Sequence, residues 1–303
     1  MPQDTPKTIF FHVGLARAAS TYLQHKVFPH LHGVHYIPPQ HYRRAQHLIG
    51  ATTAPTYLVS REFDQRLAWA AQQWAHVFPA TRIILVLRRP DRWIASRYRQ
   101  FVKNGNSLRF PEFFDIAHDT GYWKRQEASM WAKIQIIEQY FPQKPLVLLH
   151  DDLVATPYAF LDQLAQFIGC PYDKARISLR PYHTSYSDKQ LQVMLRVGQG
   201  VFALDPSYDQ GARWVQWVAQ RARLVACYGI LYPAVLVPAA WVARQPLIAP
   251  ELLAQIRDFF AEDWHRCQAY ARQQPGAPSA VGDNAPTGPA HPQDGPTGPD
   301  SQA

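Results

Sequence analysis

The chain has 303 residues, of which 47% are hydrophobic and 18% are charged, and its formal net charge is +8. This composition is that of a globular protein, and the length suits one large domain or two small ones with a buried core. The excess of arginine favours a phosphate- or sulfate-bearing ligand, although a basic surface without a specific partner would give the same balance.

The cysteines and the apolar stretches bear on the compartment. Cys170, Cys227 and Cys267 are far apart and lack C-x-x-C spacing, which argues against a disulfide framework and against a zinc site. No long apolar segment follows the first methionine, so we expect no signal peptide and a cytoplasmic protein. Residues 227–250 are apolar but are interrupted by prolines and Arg244, so they predict buried helix and loop; peripheral membrane contact is the alternative.

Short apolar runs alternate with helical patterns through the first half of the chain. Strands are predicted at 8–13, 33–37, 56–60, 82–88 and 145–150, and helices at 20–31, 63–77, 92–103, 110–140 and 157–168. Such alternation predicts βαβ units, and therefore an α/β fold of three layers (α/β/α) around a mainly parallel sheet of about five strands. Nearly continuous apolar strands such as IILVL fit burial on both faces of the sheet.

The last third of the chain has a different pattern. From about residue 180 it is helical and rich in tryptophan, and residues 251–270 predict a closing helix. Residues 273–303 are rich in proline and glycine, contain PTGP twice and have almost no large apolar residues, which predicts a disordered tail. We therefore expect one domain over residues 1–272, followed by that tail.

The loop after the first predicted strand, GLARAASTYLQ, predicts an anion site. A strand that breaks at Gly14 and restarts as a helix leaves free backbone N–H groups at the helix N-terminus, where the helix dipole also favours negative charge. Arg17 adds a cation, and Ser20 and Thr21 add hydroxyls. A Walker A loop reads G-x-x-x-x-G-K-[ST], whereas Ala19 and Ser20 stand here in place of its second glycine and its lysine.

The segment RIILVLRRPDRWIASRY predicts a second anion site. A buried strand ends in Arg88 and Arg89, a proline stops it, and Asp91 is placed to cap the helix that follows. Ser96 lies on that helix and faces back toward the strand end. Arg88 and Ser96 would then offer a charge and a hydroxyl to an anion; the alternative is that the arginines form local salt bridges and Ser96 is a surface residue.

Two anion sites in one βαβ framework suit a ligand with two separated phosphate groups, and in these motifs the chain resembles the sulfotransferases that use 3′-phosphoadenosine 5′-phosphosulfate (PAPS). In these enzymes the 5′-phosphosulfate loop has a pattern like G-x-P-K-[ST]-G-[ST]-[ST]-x-L-Q, and the corresponding segment here is GLARAASTYLQ. Their 3′-phosphate motif has a pattern like R-[DNR]-P-x-x-[RW]-x-x-S-x-Y, and the corresponding segment here is RRPDRWIASRY. The segments LVSREF, PLVLLHDDLVATPYAFLDQLAQFIG and HTSYSDKQLQ resemble further segments of the bacterial members, with His183 in place of an asparagine. The resemblance covers about residues 8–200.

This resemblance implies a P-loop NTPase-like sulfotransferase fold, PAPS as cosubstrate and no metal. By match, the donor-binding residues are Gly14, Arg17, Ala18, Ala19, Ser20, Thr21, Arg88 and Ser96. Arg17 stands where the family has a lysine whose charge stabilises the negative charge that develops on the leaving oxygen. Ala18 replaces a hydroxyl residue. Ala19 replaces a glycine, so a left-handed backbone at this position would be strained.

The base that accepts the acceptor's proton is a histidine or a glutamate in this family. Glu62, directly after the third strand, is our first candidate; its alternative role is to complement the dipole of the next helix. His41 is the candidate histidine, chosen from a region that also contains His35 and His47, and each of these suits surface or core placement as well. Asp151 would position a ligand or serve structurally. The predicted catalytic residues are therefore Arg17, Glu62 and His41.

The predicted function is transfer of a sulfuryl group from PAPS to a hydroxyl of a small-molecule or glycan acceptor, with a carbohydrate or glycolipid favoured and no nucleic-acid partner. Two alternatives remain. A P-loop kinase that uses ATP would need the GK[ST] residues that this loop lacks. A non-catalytic binding protein on a sulfotransferase-like fold would keep the fold and lose the chemistry. The sequence makes no prediction of the oligomeric state.

Overall fold

The structure is a computed structural model that describes residues 7–180, 186–201, 213–238, 241–242 and 246–277. Its five strands are β1 (Thr8–His12), β2 (His35–Ile37), β3 (Thr56–Ser60), β4 (Arg82–Leu87) and β5 (Leu146–Leu149). They form one sheet in the order β2-β3-β1-β4-β5, and every neighbouring pair is parallel. The predicted α/β fold with five parallel strands is confirmed.

Helices cover both faces of this sheet. Successive side chains of a strand point to opposite faces, and the neighbours Phe10 and Phe11 in β1 show this directly. The Phe10 ring lies 5.6 Å from that of Phe167 on one face, whereas the Phe11 ring lies 4.5 Å from that of Trp74 on the other. Both phenylalanines are buried, and so is the whole apolar part of β4. The sheet is therefore the middle of three layers.

The helices are described in chain order. They are α1 (Ser20–Tyr22), α2 (Ala45–Ala51), α3 (Leu67–Val77), α4 (Pro90–Lys103), α5 (Phe110–Phe113), α6 (Arg125–Ala128), α7 (Met130–Tyr140), α8 (His150–Ala155), α9 (Pro157–Ile168), α10 (Asp188–Val201), α11 (Arg213–Leu231), α12 (Pro250–Phe259) and α13 (Ala261–Arg272). Among the described residues, no helix combines the length and the apolar character that crossing a membrane requires.

Three predicted helices were wrong in their continuity. The helix expected at 20–31 is α1 followed by a π-helical turn (Leu23–Val27) and a 3-10 turn (Phe28–His30) that contains a proline. The helix expected at 251–270 is divided into α12 and α13 at Phe260.

The third discontinuity lies between 110 and 140. Asp115 ends the first turn of helix because its carboxylate accepts hydrogen bonds from the backbone N–H groups of Ala117 and His118. Gly121 lies so close to this turn that a Cβ atom there would be 2.6 Å from the backbone nitrogen of Asp115. The Asp115 carboxylate thus competes with the helix for backbone hydrogen bonds.

The end of the described chain packs against the sheet. Residues 273–277 continue past the predicted domain end, and Gln274 accepts from the Val147 N–H at 3.0 Å and donates to the Pro145 carbonyl at 2.7 Å. His183, the predicted tail from 278 onward and residues 202–212 lie outside the described residues.

The strand order determines where a ligand site forms. The chain leaves β1 toward β3 and β2 on one side, and it returns to β4 on the other side of β1. In open parallel sheets, ligands bind at the carboxyl ends of the strands where the order reverses in this way. The loops that follow β1 and β4 meet at that point.

Candidate active site

The loop between β1 and α1 has a backbone suited to anion binding. Arg17 and Ala19 both have left-handed backbones, with φ of 70° and 66°. The Ala18 N–H donates to the Leu15 carbonyl at 3.2 Å, and the Ser20 hydroxyl donates to the same carbonyl at 2.8 Å. A turn of this kind directs successive N–H groups to one side and forms an anion-binding concavity. The left-handed conformation that the sequence flagged as strained at Ala19 is present.

Two side chains that the sequence analysis missed hold this loop in place. Asp64 Oδ1 accepts from the Ala16 N–H at 2.9 Å, while its Oδ2 lies 3.2 Å from Arg97 Nη1. The buried indole N–H of Trp93 donates to the Ala16 carbonyl at 2.9 Å. The position of Asp64 four residues after the end of β3 gave only a weak signal of this role, because its partner is 48 residues away.

A buried polar cluster forms the floor beneath the loop. His12, the last residue of β1, is fully buried, and its Nδ1 lies 2.8 Å from Ser60 Oγ, which also accepts from Gln24 Nε2 at 3.1 Å. Burial lowers the pKa of His12 to about 3, so its ring is neutral. A Cβ atom on Gly14 would lie 2.6 Å from His12 Nε2 and 2.4 Å from Ser20 Oγ. Glycine is therefore required at position 14 for the loop to cross this floor.

Arg17 and Arg88 connect the two predicted anion sites. Arg88, directly after β4, donates through Nη1 to the Arg17 carbonyl at 3.0 Å. Arg17 Nε donates to the hydroxyl of Ser96 on α4 at 2.9 Å. Burial, with Arg17 nearby, lowers the pKa of Arg88 to about 10. The two motifs, about 70 residues apart in sequence (71 between these two arginines), thus form one continuous surface.

A cavity of about 700 Å³ opens above this surface, at the carboxyl ends of the strands. Six of the predicted donor-binding residues line it, namely Arg17, Ala19, Ser20, Thr21, Arg88 and Ser96. The other two, Gly14 and Ala18, are buried in the loop itself. The cavity is further lined by Arg92, Arg99 and His150, which the sequence analysis did not select.

The arginines around this cavity differ in whether an acid neutralises them. Arg92 lies 3.3 Å from Asp151, and Arg99 is paired with Asp188. Among the described residues, Arg17 and Arg88 form no salt bridge, and Nε of Arg88 is inaccessible to solvent without a hydrogen-bond partner. Two guanidinium groups that line the cavity without a salt bridge among the described residues favour an anion in it.

Asp91 has a different role from the predicted one. Arg89 is the residue before the first turn of α4, and no side chain caps that turn. Asp91 instead forms two hydrogen bonds with Arg89, at 2.7 and 2.9 Å. This pairing directs Arg89 to a carboxylate and leaves Arg88, its neighbour, for the cavity.

Glu62 lies beside the loop, half-buried and outside the lining of the donor cavity. Burial and the neighbouring Asp64 raise its pKa above the ordinary value, while Arg97 and Arg61 oppose the rise. The Ser20 hydroxyl is close enough to hydrogen bond its carboxylate, which also opposes it. A carboxylate with a raised pKa at the edge of an anion site is suited to accept a proton.

The histidines are placed differently from the prediction. His41 is exposed on a 3-10 turn (Pro39–Arg44) and does not line the cavity, and His35 and His47 are exposed as well. His150 does line it, at the end of β5, and burial lowers its pKa below the usual range although Asp151 opposes the shift. Its position at a strand end was a signal that the sequence analysis applied to Asp151 instead.

The sheet order, the loop after β1 and the cavity define an α/β protein with a cationic cavity at the carboxyl ends of its parallel strands. The family model described as "Sulfotransferase family" matches residues 63–174 of the chain. Over this part of the chain, the match confirms the resemblance inferred from the sequence and the prediction of a sulfotransferase.

Solved structures and curated proteins were compared as well. The chain is similar to a sulfotransferase from Alicyclobacillus acidocaldarius, with 15% identity, a TM-score of 0.44 and coverage of 78% of this chain and 98% of the other. It is also similar to mouse sulfotransferase SULT7A1 complexed with PAP, with 12% identity, a TM-score of 0.41 and 89% coverage of each chain. Both TM-scores are low, so the fold assignment depends on the sheet and the loop. None of the curated proteins compared matches the chain significantly.

Proposed function

We propose that this chain transfers the sulfuryl group of PAPS to a hydroxyl of an acceptor. The observation that carries the proposal is the contact between the two anion sites, in which Arg88 bonds the Arg17 carbonyl and Arg17 bonds Ser96. A donor with phosphate groups at both ends of one nucleoside needs two such sites at the rim of one cavity. The cavity volume of about 700 Å³ lies within the usual range for a cosubstrate of this size.

The residues present fit this donor. The loop N–H groups and the hydroxyls of Ser20 and Thr21 would hold the 5′-phosphosulfate, since each of them lies in the loop or lines the cavity. Arg88 and Ser96 would hold the 3′-phosphate, since both side chains line the cavity and offer a guanidinium and a hydroxyl to it. The described lining contains arginine and no lysine, so the cationic groups are permanently charged forks suited to phosphate.

The bound donor supplies the sulfuryl group, and this chain's residues would position it and stabilise the charge that forms. As the acceptor oxygen bonds to sulfur, the bond from sulfur to the phosphate oxygen breaks, and negative charge appears on that phosphate. Arg17 would stabilise this charge, because its guanidinium forms no salt bridge within the described part of the chain. Glu62 would accept the proton of the attacking hydroxyl, and its raised pKa brings it closer to the pH at which it operates.

A carbohydrate is the acceptor that the neighbouring surface favours. A second cavity of about 200 Å³ lies along α4, next to Arg97, which bonds Asp64 beneath the phosphate loop. Its lining combines aromatic rings with side-chain amides, namely Phe101, Phe113, Tyr122, Trp123, Gln65, Gln100, Asn104 and Asn106. Amides both donate and accept hydrogen bonds, as sugar hydroxyls do, and rings cover the apolar faces of a sugar.

Ligand choice tests the donor assignment. We expect 3′,5′-ADP to raise the melting temperature of the protein, and ATP with Mg²⁺ to raise it less. Stabilisation by ATP–Mg²⁺ alone would support the kinase alternative and contradict the proposal. Transfer from radiolabelled PAPS to a panel of glycans then tests activity, with Arg17→Ala as the inactive control. Binding of 3′,5′-ADP without transfer to any acceptor would favour the non-catalytic alternative.

A cytoplasmic location belongs to the same proposal. Cys170, Cys227 and Cys267 are buried free thiols. Burial raises the pKa of each of them, which keeps the thiol form and its low reactivity. Alkylation of the native protein in cell extract would leave these cysteines unmodified until the protein is unfolded.

A further inference from the structure

A separate cavity of about 410 Å³ lies at the opposite end of the sheet from the donor site. Arg82, the first residue of β4, and Lys144, just before β5, both line it. The five steps along β4 at about 3.3 Å each place it roughly 17 Å from the strand end that carries Arg88. The two sites are therefore separated by the length of a strand.

Arg82 and Lys144, the cations of this cavity, lie at or just before the beginnings of two adjacent strands of the sheet. Ile84 pairs with Leu146 across the sheet, and Arg82 and Lys144 each stand two residues before that pair, so they approach the cavity from adjacent strands. Within the described ranges, neither of them forms a salt bridge. Like charges on neighbouring strands repel each other, and an anion between them would remove that cost.

Aromatic rings form the walls beside these cations. The Arg82 guanidinium lies 4.2 Å from the centre of the Phe167 ring and 5.1 Å from that of Phe10, and the Lys144 ammonium lies 5.8 Å from the Tyr270 ring. Aromatic rings thus lie against the Arg82 guanidinium, whose N–H groups lie along its edge. A carboxylate is the anion whose two oxygens match that edge.

The turn after α13 closes the cavity. Gln274 is committed to the sheet, because it bonds the Pro145 carbonyl and the Val147 N–H, and the Tyr270 hydroxyl donates to Glu138. The amides of Gln166 and Gln273 also line the cavity. The enclosed surface therefore offers two cations, amide groups and apolar ring faces together.

We propose that this cavity binds a small aromatic carboxylate. Its carboxylate would pair with Arg82 and Lys144, and its ring would pack against Phe167 and Tyr270. The volume of about 410 Å³ accommodates a ligand of one or two rings. The site does not depend on the sulfotransferase assignment, since none of its residues lines the donor cavity.

The test uses 2-naphthoate as the probe and isothermal titration calorimetry of the full chain. We expect 2-naphthoate to bind with an affinity that saturating 3′,5′-ADP leaves unchanged. The neutral analogue 2-naphthamide should bind at least tenfold more weakly. Inorganic phosphate should bind more weakly than 2-naphthoate, because it leaves the ring faces uncovered. Competition between naphthoate and 3′,5′-ADP would place the probe in the donor cavity and overturn the proposal.

Single substitutions test whether Arg82 and Lys144, and not cations elsewhere on the surface, bind the probe. Lys144→Gln should weaken 2-naphthoate binding about tenfold, as expected for the loss of one charge-assisted contact. Lys144 is exposed, so this variant should fold, and urea unfolding checks that it does. Arg82→Lys retains the charge but loses the fork and should weaken binding as well. Arg257→Gln, an exposed control on α12, should bind like the original chain. Equal binding by all these variants, or equal affinity for the amide, would overturn the proposal.

Discussion

Replacing Ala19 with glycine should stabilise the protein. Ala19 has a φ of 66°, and a left-handed backbone costs an L-residue with a Cβ atom roughly 1–2 kcal/mol. Glycine adopts this conformation without that cost. The substitution therefore removes strain that the present loop carries.

The gain is smaller than the strain because glycine also makes the unfolded chain more flexible. That entropy difference is about 0.4–1 kcal/mol. The free energy of unfolding should then rise by about 0.5–1 kcal/mol. The Ala19 methyl is half-buried and lines the cavity, so its loss opens no enclosed void in the core.

Equilibrium unfolding in urea is the appropriate assay, because a change of this size shifts the melting temperature of a long chain by only a few degrees. Ala18→Gly is the matched control. Ala18 is fully buried and is not among the residues with a positive φ, so the same substitution there should lower the free energy of unfolding by about 1 kcal/mol. The free energy of unfolding should thus rise in Ala19→Gly and fall in Ala18→Gly.

Comparison of the two variants tests whether the left-handed backbone at Ala19 is strained. If Ala19→Gly lowered the free energy of unfolding as much as Ala18→Gly does, the left-handed strain at Ala19 would be refuted. Affinity for 3′,5′-ADP should stay within about twofold in Ala19→Gly, since the backbone N–H groups keep their directions. A large loss of affinity would show that the methyl itself contacts the nucleotide.

Three further predictions concern single side chains of the site. Arg88→Gln should weaken 3′,5′-ADP binding by about tenfold to a hundredfold in calorimetry, as expected for the loss of a charge-assisted contact. Arg89→Gln should change the affinity little, because Arg89 pairs with Asp91. Equal losses in the two variants would contradict the assignment of Arg88 to the 3′-phosphate. Glu62→Gln should lower kcat at least about a hundredfold with nucleotide affinity unchanged. In the original chain, kcat should rise with pH as this carboxylate of raised pKa loses its proton, and the variant should lack that rise. Weakened nucleotide binding would instead place Glu62 in the donor site. His12 is neutral when folded, with a pKa of about 3, and takes up a proton on unfolding below its ordinary pKa of 6.5. As the pH falls from 6.5 toward 3, the free energy of unfolding of the original chain should therefore decrease by about 1.4 kcal/mol per pH unit more than that of His12→Gln. Urea titrations at several pH values measure this difference, and parallel pH curves for the two proteins would refute it.

Much of the donor site was predictable from short segments. The loop at Gly14 and the strand that ends at Arg88 each combine an apolar run with polar residues directly after it, and both the backbone change and the residue chemistry are local. Parallel strands bring their carboxyl ends to one edge, so the two segments were expected on the same edge, and the order that makes β1 and β4 neighbours brings them into contact. The lining of the cavity by Arg17, Ser96 and their neighbours follows that expectation.

The errors have different causes. Helical patterns at 20–31, 110–140 and 251–270 were correct in type but not in continuity. Between 110 and 140, the Asp115 carboxylate takes backbone hydrogen bonds and the close contact at Gly121 leaves no room for a side chain, whereas near residue 29 a 3-10 turn with a proline interrupts the helix. His41 was selected for its residue type in the region expected near the acceptor, and the chain places it on an exposed turn. Periodicity reports which residues face a core, not where a helix is interrupted.

The sequence by itself determined the layered α/β architecture and indicated the two segments that line the cavity, because strand, turn and helix preferences act between residues close in the chain. Only the tertiary structure decided which charges remain free. Asp91 neutralises Arg89, Asp151 lies beside Arg92, and Arg17 and Arg88 keep their charges toward the cavity. The same holds for Asp64, which reaches the loop backbone from another strand end. An ion pair depends on distance in space, and that distance exists only once the sheet order has brought the strand ends together.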